Sequence, residues 1–492
     1  MLNKYLFSVL KSFTEEEWKK FKIHIKSQDA ISGRKYFPLV NLLSKYSREM
    51  DTLGRIPAHK LFEKAYKTKY GKQTLLNRQT ELLNHAKEYL INISVRKNDA
   101  SRKNSYFSEL LGRRLLDLYS RDMAATEELI NENLFDSDLY RYIQENVLLN
   151  ASYHQQNKEK KVALDVYFRH SRILLADILC SLYRTGQELL IQKYENIEHG
   201  ENPVIGLTDL VNPDLFFKEL IKKNDRQFII PAIRYYLFKC IQNPNDKKYS
   251  ARAIKLFYLN EKYFTEDFRT DIYRTLMTYY IMKLNSGETE YNNELFRLYK
   301  RKLSQNLVSD LRMSGYPANV FREYIVTGLK VRQYKWVEMV IRKYAPLLPE
   351  HLRDDEVNLA TIRLCFNRRE FGKALALINR HKTKNNLHHL DSMRYKLMCC
   401  YELKRYEEAY IEVDKSKHYL KYNRSRIPEI HREFFKKFLD KVLKILNFLA
   451  NPYKKDPDMI LYEIENDESN YMMKEWIAVK AHELILQYRK LK

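Results

Sequence analysis

Three short stretches in the C-terminal half repeat one pattern: Arg332-Gln333-Tyr334-Lys335-Trp336-Val337, Arg369-Glu370-Phe371-Gly372-Lys373-Ala374 and Lys404-Arg405-Tyr406-Glu407-Glu408-Ala409. Each places a basic residue two positions before an aromatic and a small or β-branched apolar residue three after it, and the aromatics stand 37 and 35 positions apart. A period of this length belongs to units of two helices, which cannot bury their apolar faces alone and therefore stack into a solenoid. The usual product of such stacking is an extended surface for a partner.

The remaining composition points the same way. At 492 residues the chain exceeds the size at which one core stops growing, so several domains or an elongated array are expected. Glycine (11) and proline (12) are scarce against average usages of about 7% and about 5%, and the turns of sandwiches and barrels depend on them. The expected fold class is all-α: an N-terminal helical module followed by an α-solenoid of stacked helix pairs. Tyrosine is abundant, at 38 residues. It suits helix seams, where its ring is buried and its hydroxyl reaches a partner.

Along the chain, residues 1–98 read as a compact helical module. Thr14 and Glu17 form a capping box before Trp18, Phe21 and Ile25, and Leu75, Leu82, Leu83, Ala86 and Leu90 mark a longer helix. The polar stretch 96–104 reads as a linker. Long helices are expected over 105–198, a break over 199–209, a helical array over 210–312, repeats over 318–450 and a capping helix over 458–492.

The repeat region, roughly 318–420, resembles the tetratricopeptide repeat, a helix-turn-helix unit of about 34 residues. In that register Tyr334, Phe371 and Tyr406 open the second helices, and Val337, Ala374 and Ala409 occupy the position where that family keeps a small residue. Where the family's first helix carries Gly or Ala, this chain has Ile325, Ile362 and Leu397. The resemblance implies a concave face that holds peptides, to which the first helices would contribute Arg322, Lys330, Arg363, Arg394 and Tyr401. Glu356, Asp391 and Glu402 fall on the same face. Separately, Leu10-Lys11-Ser12-Phe13 followed by Glu17-Trp18-Lys19-Lys20-Phe21-Lys22 resembles the opening of a group of helical proteins of the Bacteroidota, a likeness that implies no activity.

The net charge is +24, and residues 1–100 and 301–400 each carry an excess of ten positive charges. Such a field attracts acidic protein segments, anionic lipid or nucleic acid without choosing among them. In the first stretch Lys19, Lys22, Lys26, Arg34 and Lys35 are interleaved with Trp18, Phe21 and Tyr36, a composition that a phosphate-tracking surface could use. The same lysines also follow the spacing of one solvated helix stripe. No stretch is apolar for long enough to span a membrane or act as a secretory core. Five cysteines without a CxxC pair fit a reducing compartment, so a cytoplasmic location is expected.

Catalytic signatures fail. Gly71-Lys72 lacks the rest of a phosphate loop, and His482-Glu483 has Leu486 where a zinc-protease helix needs a histidine. His381, His388, His389 and Asp391 with Cys399-Cys400 match no zinc spacing. No enzyme activity, metal or cofactor is expected. The expected role is a non-catalytic adaptor that binds a protein partner, through an acidic segment on the concave face; the alternative is a nucleic-acid-associated protein using the two basic stretches.

Overall fold

The computed structural model describes residues 3–46, 56–97, 99–132, 140–194, 203–210, 213–223, 226–307, 316–381, 383, 385–451, 457–467 and 472–491. Among the described residues the protein is built of α-helices joined by short turns and contains no strand. The helices belong to two units, residues 1–183 with 207–232 and residues 184–206 with 233–492.

The first unit opens with α1 (Lys4–Lys11), α2 (Glu15–Ser32), α3 (Phe37–Ser44), α4 (Ala58–Tyr66) and α5 (Lys72–Lys97). The capping box forms: Glu17 N–H donates to Thr14 Oγ1 at 3.2 Å, and Thr14 N–H donates to Glu17 Oε2 at 2.9 Å. Leu10, Trp18, Phe21, Ile25, Leu39, Leu82 and Ala86 make a shared core, with α1 and α2 packed on α5. Tyr89 Oη ties α5 to α2 by donating to the Glu17 carbonyl at 3.1 Å.

Next come α6 (Asp99–Gly112), α7 (Leu116–Glu132), α8 (Tyr140–Gln156), α9 (Lys160–Tyr194), α10 (Pro203–Leu210) and α11 (Asp214–Lys222). The stretch 96–104, read from its polarity as a linker, is helical apart from position 98, which lies outside the described residues. The reason is Asn104. It is buried, its Nδ2 donates to the Tyr142 carbonyl and to Glu145 at 3.0 Å, and its Oδ1 accepts from Asn146 at 3.2 Å. A polar side chain satisfied in this way belongs to an interface, here between α6 and α8. Of the expected break, 199–202 lie outside the described residues and Pro203 starts a helix.

The second unit contains α12 (Ile229–Gln242) from Ile233 onward, α13 (Lys247–Asn260), α14 (Glu266–Asn285), α15 (Tyr291–Ser304), α16 (Ala318–Lys330), α17 (Tyr334–Tyr344), α18 (Glu350–Asn367), α19 (Phe371–Arg380), α20 (Asn386–Glu402), α21 (Tyr406–Tyr422), α22 (Glu429–Ala450), α23 (Pro457–Glu465) and α24 (Lys474–Leu491). Tyrosines fill its seams. Tyr235, Tyr236, Tyr273, Tyr279, Tyr299 and Tyr324 are buried, and Tyr279 Oη donates to the Pro244 carbonyl at 3.1 Å. Helices α16/α17, α18/α19 and α20/α21 pack as successive pairs, and the first helix of each pair also contacts the first helix of the next. Phe435, Phe438, Leu439, Val442, Ile445 and Leu446 of α22 are buried against this stack, and α23 and α24 close it.

The repeated sequence pattern is a helix-ending turn. Arg332, Arg369 and Lys404 have φ of 57°, 62° and 59°. In each case the next residue's N–H reaches back five positions: Gln333 to Gly328 O (2.8 Å), Glu370 to Cys365 O (2.9 Å) and Arg405 to Cys400 O (2.9 Å). This is the Schellman arrangement, whose left-handed position usually holds glycine. The aromatic two residues later is the first residue of the second helix, and the residue three further on, Val337, Ala374 or Ala409, is fully buried. A glycine-poor chain thus makes its turns with cations, at a steric cost of about 1–2 kcal/mol per residue, against which glycine loses about 0.5–1 kcal/mol of unfolded-chain entropy. Lys404→Gly is accordingly expected to stabilise the protein by about 0.5–1 kcal/mol. An unchanged or lowered denaturant midpoint would contradict this account of the motif.

Candidate functional site

The second unit contains a groove of about 1350 Å³ at the ends of the first helices of the stack. Leu329 and Lys330 of α16, Arg363 and Phe366 of α18, and Tyr395 and Glu402 of α20 line it. The turn residues Arg332, Arg368 and Arg369 and the helix-opening Tyr334 and Phe371 lie along it, and Trp476, Val479 and Lys480 of α24 form one wall. The sequence places cations here because the left-handed turn position falls at the C-terminus of a helix. A positive side chain there faces the negative end of the helix dipole and can remain in solvent.

The groove's cations fall into two sets. Arg368 pairs with Glu338 at 2.5 Å and lies over the Tyr334 ring, 5.8 Å from its centroid. Lys480 lies 2.9 Å from both Glu402 and Glu483, and Trp476 Nε1 donates to Glu402 at 2.7 Å. By contrast, Lys330, Arg332 and Arg369 are exposed, and among the described residues no carboxylate pairs with them. They alternate with aromatic and aliphatic surface, the combination that holds an anionic chain bearing apolar side chains.

The first helices are joined by ion pairs. Arg322 of α16 donates from Nε to both oxygens of Glu356 on α18, at 2.9 and 2.8 Å, and Glu356 also lies 2.9 Å from His388 Nε2 on α20. Glu356 is 1% exposed. Burial alone would raise its pKa, but the hydrogen bonds from Arg322 and His388 outweigh it and hold the carboxyl down at about 2. Arg363 and Arg394 share Asp391, at 3.0 and 2.6 Å, each with a side chain only 11% exposed.

Of the residues expected to face a ligand, then, Lys330 lies exposed in the groove and Arg363 lines it while paired with Asp391. Arg322 and Arg394 are bonded to internal carboxylates, and Tyr401 is buried against Trp476 at 5.4 Å. The two free turn cations, Arg332 and Arg369, are the first residues of the repeated sequence pattern. Their position in the groove depends on the turn geometry, which residue spacing does not reveal.

In the first unit Lys19, Lys26 and Lys35 are exposed and Lys22 is half-buried. Arg34, however, pairs with Glu81, and Lys26 Nζ sits 4.8 Å from the Phe37 ring centroid. The histidine-rich turn of the second unit is an ion-pair cluster: His381 lies 2.8 Å from Asp355, and His388 contacts Glu356. Cys399 and Cys400 are buried, and burial pushes the Cys399 thiol up to about 12, which leaves it inert.

Fold and groove together define an all-α protein whose stacked helix pairs present basic turn residues along one groove. No protein-family model matches the chain, and comparison with curated proteins and with solved structures finds no match.

Proposed function

We propose that the second unit is the working part of a non-catalytic scaffold or adaptor, a tetratricopeptide-like solenoid whose groove takes an acidic segment of a partner protein. The observation that carries this reading is the exposed set Lys330, Arg332 and Arg369 beside Tyr334, Phe366, Phe371 and Trp476 in one groove. Arginine suits bidentate capture of carboxylates, and the apolar surface between the cations favours a segment that also bears hydrophobic side chains. No helix among the described residues is long and apolar enough to cross a membrane. We place the adaptor in the cytoplasm, where its free cysteines would stay reduced.

The test is affinity purification of the tagged full chain at low salt, with and without nuclease, from wild type and from Arg332→Glu/Arg369→Glu. Both substituted side chains are exposed, so the variant is expected to fold. A dominant protein partner is expected to survive nuclease and to bind the variant at least about tenfold more weakly, since two attractive charges become repulsive. Undiminished binding to the variant would remove the groove from the account. Loss of the partner on nuclease treatment would instead favour the surface of Lys19, Lys26 and Lys35 and a nucleic-acid ligand, with steep salt dependence.

A further inference from the structure

In the first unit, His24 of α2 faces His85 and Glu88 of α5. One ligand atom from each of these three side chains lies within 4.8 Å of the others. His85 and Glu88 stand three positions apart, on one face of α5, and His85 Nδ1 is 3.6 Å from Glu88 Oε2. The imidazole rings of His24 and His85 are 6.2 Å apart at 70°. Aromatic walls set their orientation: the His24 ring stacks on Phe21 at 6.3 Å and lies 5.9 Å from Tyr89, while His85 meets Tyr36 edge-on at 5.0 Å. Phe21, Tyr36 and Tyr89 are themselves buried in the module core. The His85 Nδ1 atom is buried and has no hydrogen-bond partner within the described residues, a costly state for a ring nitrogen unless something else occupies its lone pair.

Two imidazoles and one carboxylate from facing helices are a donor set for a borderline divalent transition ion, and with zinc they leave a fourth position to water. Bonds of about 2.0–2.2 Å to a tetrahedral ion require ligand atoms about 3.3–3.5 Å apart. His85 Nδ1 and Glu88 Oε2, 3.6 Å apart, already stand close to that spacing, and the Glu88 side chain, 62% exposed, is free to adjust as His24 closes on the ion. We propose that His24, His85 and Glu88 bind one Zn²⁺ or a similar divalent transition ion and thereby staple α2 to α5. None of these residues belongs to the groove of the second unit, so the inference stands apart from the adaptor reading.

The test uses the full chain, freed of metal by a chelator and titrated with zinc chloride against a chromophoric competitor. Cobalt(II) serves as a spectroscopic probe of a tetrahedral nitrogen and oxygen environment. One tight equivalent is expected, with a rise in melting temperature on adding zinc. Glu88→Gln, an exposed substitution that should leave the apo fold unchanged, is expected to weaken that equivalent at least about tenfold and to remove the zinc-dependent rise. His85→Gln is expected to abolish both, together with the cobalt bands. Absence of a tight equivalent in the wild type would overturn the proposal, as would an equivalent of unchanged affinity in both variants, which would locate the ion elsewhere on the chain.

Discussion

Arg322→Met is expected to destabilise the second unit by about 3 kcal/mol, the lower end of the range for removing one partner of a buried ion pair. The lower end applies because the Arg322 side chain is 40% exposed whereas that of Glu356 is 1% exposed, so only the carboxylate is stranded without solvent. His388 remains 2.9 Å away but cannot replace two guanidinium hydrogen bonds. The same group sets an acid limit. The Glu356 carboxyl, normally near 4.5, is held at about 2 in the folded chain, so on acidification the unfolded chain takes up this proton first. Its stabilisation is therefore complete above about pH 4.5 and is lost as the pH falls toward 2, a loss of about 2 kcal/mol once the partial solvation of Arg322 is allowed for. Denaturant titrations across that window should show a steeper decline for the wild type than for Glu356→Gln. Parallel declines would mean that the pair does not carry the acid sensitivity of this unit.

The second large effect is expected at Gly328. A Cβ at this position would meet Val337 Cγ2 at 2.7 Å and Trp336 Cε3 at 2.9 Å, both on the second helix of the same pair. Neither neighbour can yield easily. Val337 is fully buried, and the Trp336 ring is set edge-on against Phe296 at 5.0 Å. Gly328→Ala would gain about 1 kcal/mol of helix propensity yet is expected to cost about 1–3 kcal/mol net, because α16 and α17 must move apart. Adding Val337→Ala should recover part of the loss, a coupling visible in a double-mutant cycle. A stabilised Gly328→Ala variant would show that the close approach of the two helices is not needed.

Gly328 also shows where reading by resemblance reached its limit. The tetratricopeptide register placed the close-approach position at Ile325, which is buried, whereas the glycine that touches the second helix lies three residues on. The corresponding residues in the next two pairs, counted back from the left-handed turn, are Cys365 and Cys400, which are also small. Spacing from the aromatic marks where each second helix begins, but the contact between the helices is visible only in the structure. The candidate site was legible to a similar degree. The sequence shows the repeated Arg/Lys as a pattern and puts Arg322, Arg363 and Arg394 on one face with Glu356 and Asp391, whereas the direct pairing of these charges is visible only in the structure.

What the sequence by itself determined is what depends on local chemistry: an all-α chain, from the scarcity of glycine and proline; the α2 start, from Thr14 and Glu17; and three further helix starts, from the recurring aromatics Tyr334, Phe371 and Tyr406. Tertiary structure alone decided which charges are available. Arg363 and Arg369 lie six positions apart in one stretch of chain, yet one is held by Asp391 from the next helix pair and the other is exposed in the groove. Ion pairing between helices depends on partners about 30 residues away, as with Arg322 and Glu356, and on desolvation that exists only once the pairs have stacked. Likewise His24 and His85, distant in sequence, meet only because a shared aromatic core brings α2 against α5.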